Sequence, residues 1–75
     1  MRELVSFVAK GLVDNPEAVT VSDVEQDDTL VLELRVAKED LGKVIGRHGR
    51  TARAMRVLLN AVADDQRRVR LEIVE

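Results

Sequence analysis

Between Gly42 and Arg56 the chain gathers Lys43, Arg47, Arg50, Arg53 and Arg56 with its only histidine, His48, and no acid falls in this window. Taken whole, the protein carries 14 acids against 12 lysines and arginines, for a net charge of -2. Every acid therefore lies outside a window that is plainly basic. Segregation of that kind is the footprint of a site for a polyanion. Gly46-Arg47-His48-Gly49 adds geometry to the charge. Gly46 stands where a helix ends and a left-handed residue is commonly needed. Gly49 precedes the next helix and has no Cβ to hold a phosphate away. The first N–H groups of a helix lack intrahelical partners and point outward. With the helix dipole they form an anion pocket, around which Lys43, Arg47, His48 and Arg50 are expected to stand.

Other chemistries are poorly provided for. Cysteine is absent, which removes disulfides and thiolate metal sites. One histidine does not build a metal site unaided, and no acidic loop has the spacing of a calcium hand. No metal and no cofactor are expected. The pairs Asp27-Asp28 and Asp64-Asp65 read as polar turn and loop residues, with no partner for acid–base work. No nucleophile–base pair is suggested, so an enzyme is the weakest reading. The spacing of Gly42 and Gly46 is not a P-loop, because no Gly-Lys-Ser/Thr follows.

Seventy-five residues make one domain and not two. An apolar content of 45%, mostly Val, Leu, Ala and Ile, suits a packed core and argues against disorder. Charge interrupts the N-terminal apolar stretch too soon for a signal peptide or a membrane span. A soluble cytoplasmic protein with no membrane partner is the expectation.

Periodicity then predicts the elements that position the basic window. Leu4, Val5, Val8, Ala9 and Leu12 form a helical stripe over about residues 2–13, stopped by Asp14-Asn15-Pro16. A strand is expected over about 18–25, with a slip between Val21 and Val24 that suggests a bulge. Gln26-Asp27-Asp28-Thr29 makes a turn into a second strand at about 30–36, where Leu30, Leu32, Leu34 and Val36 alternate with Val31, Glu33 and Arg35. Asp40 is placed to cap a short helix running to about Ile45. A longer helix is expected from Arg50 or Thr51 to Ala63. Its apolar face carries Ala52, Met55, Leu59 and Val62, and Arg53, Arg56 and Asn60 share another face. After a loop at Asp64-Asp65-Gln66, Val69, Leu71 and Ile73 alternate with Arg68, Arg70 and Glu72 in a last strand. The order is α-β-β-α-α-β, an α+β domain in which helices cover one face of a sheet.

At Val44-Ile45-Gly46-Arg47-His48-Gly49 the chain resembles the V-I-G-x-x-G core of KH domains. The element order is similar to that of the prokaryotic, type II, KH fold. From Asp40 to Thr51 the sequence resembles the stand-alone, single-KH-domain bacterial proteins of the KhpA family, and the likeness extends over essentially the whole chain. It implies a three-stranded mixed sheet covered on one face by three helices. It further implies a groove for about four unpaired nucleotides of RNA, clamped at the GxxG loop. Carried onto this chain, Gly46, Arg47, His48 and Gly49 hold the phosphates, with Lys43, Arg50 and Arg53 assisting. Val44 and Ile45 form the apolar groove wall and the core beneath it. The chain departs from the KH pattern at Ala52, where a bulky aliphatic residue is usual. Its only aromatic residue is Phe7, on no predicted strand. RRM sheets and many OB folds stack bases on aromatics, so the composition favours KH over both.

The implied function is non-catalytic binding of single-stranded RNA, as a chaperone or post-transcriptional regulator. Two alternatives compete. One is a helix-turn-helix DNA binder, imitated by two helices around a glycine turn. The other is a protein-interaction module, since KhpA-like proteins form dimers with themselves and with a larger KH-containing protein of the Jag type. The face bearing Ala52 and Met55 is a candidate for that contact. Read blandly, the glycines only turn the chain, His48 only hydrogen-bonds, and Arg53, Arg56, Arg67, Arg68 and Arg70 are solvated surface charges.

Overall fold

The computed structural model describes residues 2–63 and 68–74. The first helix, α1 (Arg2–Leu12), turns Val5 and Ala9 inward and stops before Asp14. Pro16 then opens a 3-10 turn, Pro16–Ala18, a position where its fixed φ and missing N–H cost nothing. Strands β1 (Thr20–Gln26) and β2 (Thr29–Arg35) pair antiparallel in an unbroken register from Thr20 with Arg35 to Gln26 with Thr29. The bulge expected near Val21 is therefore absent. Val21 packs toward the helices beside Leu34, whereas Val24 sits on the opposite face beside Val31. Two valines on two faces, not a slip in pairing, broke the alternation.

After a 3-10 turn, Lys38–Asp40, comes the single helical turn α2 (Leu41–Ile45). The turn Arg47–Gly49 leads into α3 (Arg50–Val62), and the chain ends its described part in β3 (Arg68–Val74). Strand β3 runs parallel to β2, so the sheet is mixed in the order β1-β2-β3. The expected loop at Asp64-Asp65-Gln66, and Arg67, lie outside the described residues.

The core is a layer between sheet and helices. Leu32 and Leu34 of β2 are fully buried, with Val44 of α2 and Leu59 of α3 against them; Val5, Ala9, Val19, Val36, Met55, Val69 and Leu71 complete the layer. Burying side chains of this size contributes about 1.5–3 kcal/mol each. Ala52 is also buried, so the departure from the KH pattern places a small side chain inward. Val62, expected in that same face, is instead 53% exposed. The order α-β-β-α-α-β and the one-sided helix layer are those of a type II KH fold.

Candidate nucleic-acid interface

α2 is one turn long, and a single turn does not hold itself together. Its place is fixed by what lies at its two ends and by Val44, which is fully buried in the core. Val44 thus offers no surface to a ligand. Ile45, one residue on, is 39% exposed beside the glycine loop, so of the two only Ile45 presents an apolar surface there.

The chain leaves α2 through Gly46, at φ 79 and ψ 169. A Cβ there would lie 2.7 Å from the backbone N of Thr51. Gly46 is thus required both by its φ and by the close approach of α3. Gly49 is left-handed at φ 74 and ψ 13, and a Cβ on it would meet nothing within 4 Å. Its requirement is conformational, and the space beside it is open. Between them His48 adopts φ 57 and ψ 26, a left-handed conformation that is uncommon outside glycine and found more often for His, Asn and Asp. Arg47 and His48 are both exposed at the tip of the turn.

Part of the expected N–H pocket is used by the turn itself. The N–H of Gly46 donates to the carbonyl of Gly42 at 2.9 Å, and that of Gly49 to the carbonyl of Gly46 at 3.0 Å. The N–H of Arg50 likewise donates to the carbonyl of Arg47. The loop therefore presents chiefly the exposed side chains of Arg47, His48 and Arg50. The exposed Arg50 and Arg53, with Ala54 and Val57, line a shallow depression of about 340 Å³ along α3. Further along that helix, Arg56 and Asn60 face the edge of β3 across a groove of about 330 Å³, which also includes Val69, Arg70, Leu71 and Glu72. There the Arg56 guanidinium donates to the carbonyl of Leu71 at 3.3 Å. Arg56 is thus partly engaged by the sheet edge. Arg70 pairs with Glu72 at 3.1 Å.

Lys43 is placed differently from the other cations. Its Nζ pairs with the carboxylate of Asp14 and lies 3.7 Å from Oδ1 of Asp40. The Asp14 hydrogen bond, opposed by desolvation and aided by the charges of Asp14 and Asp40, raises the Lys43 pKa above its ordinary value. Asp40 was expected to cap α2, but its side chain makes no cap bond. It is instead fully buried and accepts hydrogen bonds from the next loop over. The backbone N–H of Asn15 reaches Oδ2 at 3.0 Å, as does the Asn15 side-chain amide, and the N–H of Asp14 reaches Oδ1 at 3.4 Å. Burial alone would push the Asp40 carboxyl up. The Asn15 and Asp14 donors with the Lys43 charge outweigh it and hold the pKa below the ordinary carboxylate value. An acid followed by an apolar helical turn carries no mark of this role in sequence.

α3 also exposes apolar side chains. Val57, beside Arg50 and Arg53, is 65% exposed and Leu58 41%, whereas Val62 lies seven residues after Met55, on the side of the core residues Ala52, Met55 and Leu59, and is exposed at the end of the helix. Those core residues, proposed above as a contact face, are buried within the domain. Among the described residues no group of acids, cysteines and histidines is arranged to hold a metal ion. No helix among the described residues is long and apolar enough to cross a membrane.

Residues 2–73 match the family model described as KhpA/KhpB, KH domain. The chain is similar to the RNA-binding protein KhpA of Caldanaerobacter subterraneus subsp. tengcongensis, with 49% identity across 99% of this chain and 100% of that protein. It is 51% identical to the RNA-binding protein KhpA of Treponema pallidum, across 97% of this chain and 92% of the relative. The protein of the same name from Chlamydia trachomatis is 47% identical across 100% of this chain and 97% of its own length. No solved structure matches the chain at a significant level.

Proposed function

We propose that this chain, which belongs to the KhpA/KhpB family of KH domains, is a non-catalytic binder of single-stranded RNA that takes the RNA backbone at Gly46-Arg47-His48-Gly49. The family is one of binding domains and not of enzymes. RNA is the ligand named for the relatives, and the charge pattern of this chain suits it. One observation carries the assignment of the loop. Two glycines at positive φ hold Arg47 and His48 out at the tip of a turn, in the middle of the acid-free window. The loop offers cationic side chains, an open space beside Gly49 for a phosphate, and the exposed Ile45 as an apolar neighbour.

Arg50 and Arg53 extend the cationic surface along α3. The helical rise puts Arg53 about 4.5 Å beyond Arg50 along the axis, so the two can follow a backbone that leaves the loop. Lys43 contributes to this reading as the partner of Asp14 and Asp40 and not as a free phosphate contact. The helix-turn-helix alternative is disfavoured by the length of α2, a single turn. Within this reading the domain serves as an RNA chaperone or post-transcriptional regulator in the cytoplasm.

The experiment is a titration of isotope-labelled protein with an unstructured oligoribonucleotide, repeated with duplex DNA. Shifts centred on Gly46–Gly49 and the first turn of α3, with RNA preferred, are expected. Shifts that avoid the loop would contradict the assignment.

The exposed apolar pair Leu58 and Val62, one turn apart on α3, favours a second and compatible reading. In it the domain pairs with another copy of itself or with a larger KH-containing protein of the Jag type. Leu58→Glu is then expected to abolish self-association in sedimentation while leaving RNA affinity per protomer unchanged.

A further inference from the structure

The junction of α1 and α2 carries a buried polar group on which several donors converge, and RNA binding as proposed does not use it. Asp40 is fully buried. Three donors converge on its carboxylate from Asp14 and Asn15, the residues that follow α1. Lys43, one turn along α2, leans back over the same carboxylate and closes on Asp14. The Asn15 amide is in turn held by Glu39, whose Oε1 accepts from it at 3.4 Å. A cluster of donors around one buried group is satisfied only by an acceptor that has no hydrogen of its own, which here means an ionised carboxylate. Such a clasp fixes the direction of whatever it is attached to.

What it is attached to is α2, one turn long, with the glycine loop at the far end. Gly46 follows Asp40 by six positions, about 9 Å along a helical rise. A rotation of about 15° at the clasp would displace the loop by about 2 Å on that lever. Sites that grip a ligand tolerate much less than this before they loosen. Val44 and the half-buried Leu41 hold one side of α2 on the core; the clasp adds a directional polar anchor at the end away from the loop.

We infer that Asp40 is a positioning residue for RNA: buried beneath the α1–α2 junction and held by Asp14, Asn15 and Lys43, it sets the direction of α2 and thereby the place of the Gly46–Gly49 loop. The inference rests on the reading that this loop grips RNA. It assigns Lys43 to the same task, so the cation three residues before the loop acts through geometry and not through contact with phosphate. Coupling of this kind is reciprocal. RNA held at the loop then protects the clasp from opening.

The test compares Asp40→Asn with wild type. The substitution keeps the size of the side chain but aims an amide at N–H donors that need an acceptor. Val31→Ala is the control, because Val31 is buried on the sheet face away from the helices and its truncation destabilises without touching α2. Each protein is read in two ways at a temperature where circular dichroism shows it folded. One is the affinity for a labelled unstructured oligoribonucleotide. The other is amide hydrogen exchange at Gly46 and Gly49, whose N–H groups are bonded within the α2 end and the turn.

Asp40→Asn is expected to bind at least fivefold more weakly and to exchange faster at both glycines, while Val31→Ala keeps wild-type affinity. Wild-type affinity and exchange in a folded Asp40→Asn overturn the inference, as does an equal loss of affinity in Val31→Ala. If Asp40→Asn does not fold, Asn15→Ala removes one donor and leaves two; a two- to threefold loss with faster loop exchange supports the clasp, and unchanged exchange rejects it. If wild type binds no RNA, the RNA reading fails, and the exchange data still decide whether Asp40 holds the loop in place.

Discussion

The two ends of α2 are built on opposite plans. At the first end the charges of Asp40 and Lys43 are answered: Asp40 is buried under three donors, and Lys43 is paired with Asp14 and Asp40. At the other end Arg47 and His48 are held out to solvent by two glycines. Lys43 and Arg47 are four residues apart and of the same charge, yet one closes a junction and the other stands open. The difference teaches that a basic window in a sequence is not a uniform surface. Geometry divides it into cations paired within the fold and cations left exposed, and on the proposed reading only the second kind appears in the salt dependence of binding.

The largest effect that would break this comparison is at Gly46. Gly46→Ala puts a methyl against Thr51 and forces an L-residue to φ 79. A loss of about 1–3 kcal/mol in stability is expected from the backbone conformation alone, with RNA binding reduced tenfold or more. Urea unfolding and an RNA titration measure the two. If Gly46→Ala binds and folds as wild type does, the open end does not depend on the glycine geometry.

The closed end should declare itself in acid. The folded-state pKa of Asp40 lies below its ordinary value of 3.8. A group depressed in this way contributes stability above the unfolded value and loses it as pH falls through the folded one. The clasp is therefore intact at neutral pH and weakens below about pH 4. The Tm of wild type should fall further between pH 6 and pH 3 than that of Asp40→Asn, whose junction has no carboxylate to protonate. For Lys43 the sign is opposite. Its pKa is raised above 10.5, so its share is present at neutral pH and is lost only as pH rises through that raised value.

The smallest effect sharpens the comparison most. Lys43→Met is expected to lower Tm slightly and weaken RNA binding two- to threefold at moderate salt, as loss of one partner of the clasp does, leaving the log–log salt slope where it was. Arg47→Met is expected to leave Tm alone and flatten the slope by about 0.7, the share of one phosphate on a single strand. Equal flattening by both variants would mean that Lys43 also reaches the RNA.

Most of the architecture was legible because its periodicities are clean. Leu30, Leu32, Leu34 and Val36 mark β2 without ambiguity, and Asp14-Asn15-Pro16 stops α1 within a residue or two of where the chain turns. The bulge was misread because Val21 and Val24 belong to two faces of one regular strand. A sequence shows apolar residues without saying which side of a sheet is covered. Val62 shares the face of Met55 and Leu59 but is the last residue of α3, where the core no longer covers it. The glycine loop was readable from its residues and its resemblance to the KH motif. The partners of Asp40 and Lys43 were not, because the donors on Asp40 come from 25 and 26 residues away. No local pattern distinguishes a capping acid from one that binds a distant loop.

The central claim is that the open end of α2 is where RNA is held. It is tested most directly by binding of a labelled, unstructured RNA pool at two salt concentrations, with wild type run against the double substitution Arg47→Asp, His48→Asp and circular dichroism confirming both folds. Wild type is expected to show a log–log salt slope of about -2 to -3, the value for three to four phosphates on a single strand. The double variant keeps both glycines, so its loop shape is retained while two negative charges face the phosphates, and its binding should fall sharply at both salts. A folded double variant that binds as well as wild type would contradict the account and move the RNA away from this loop.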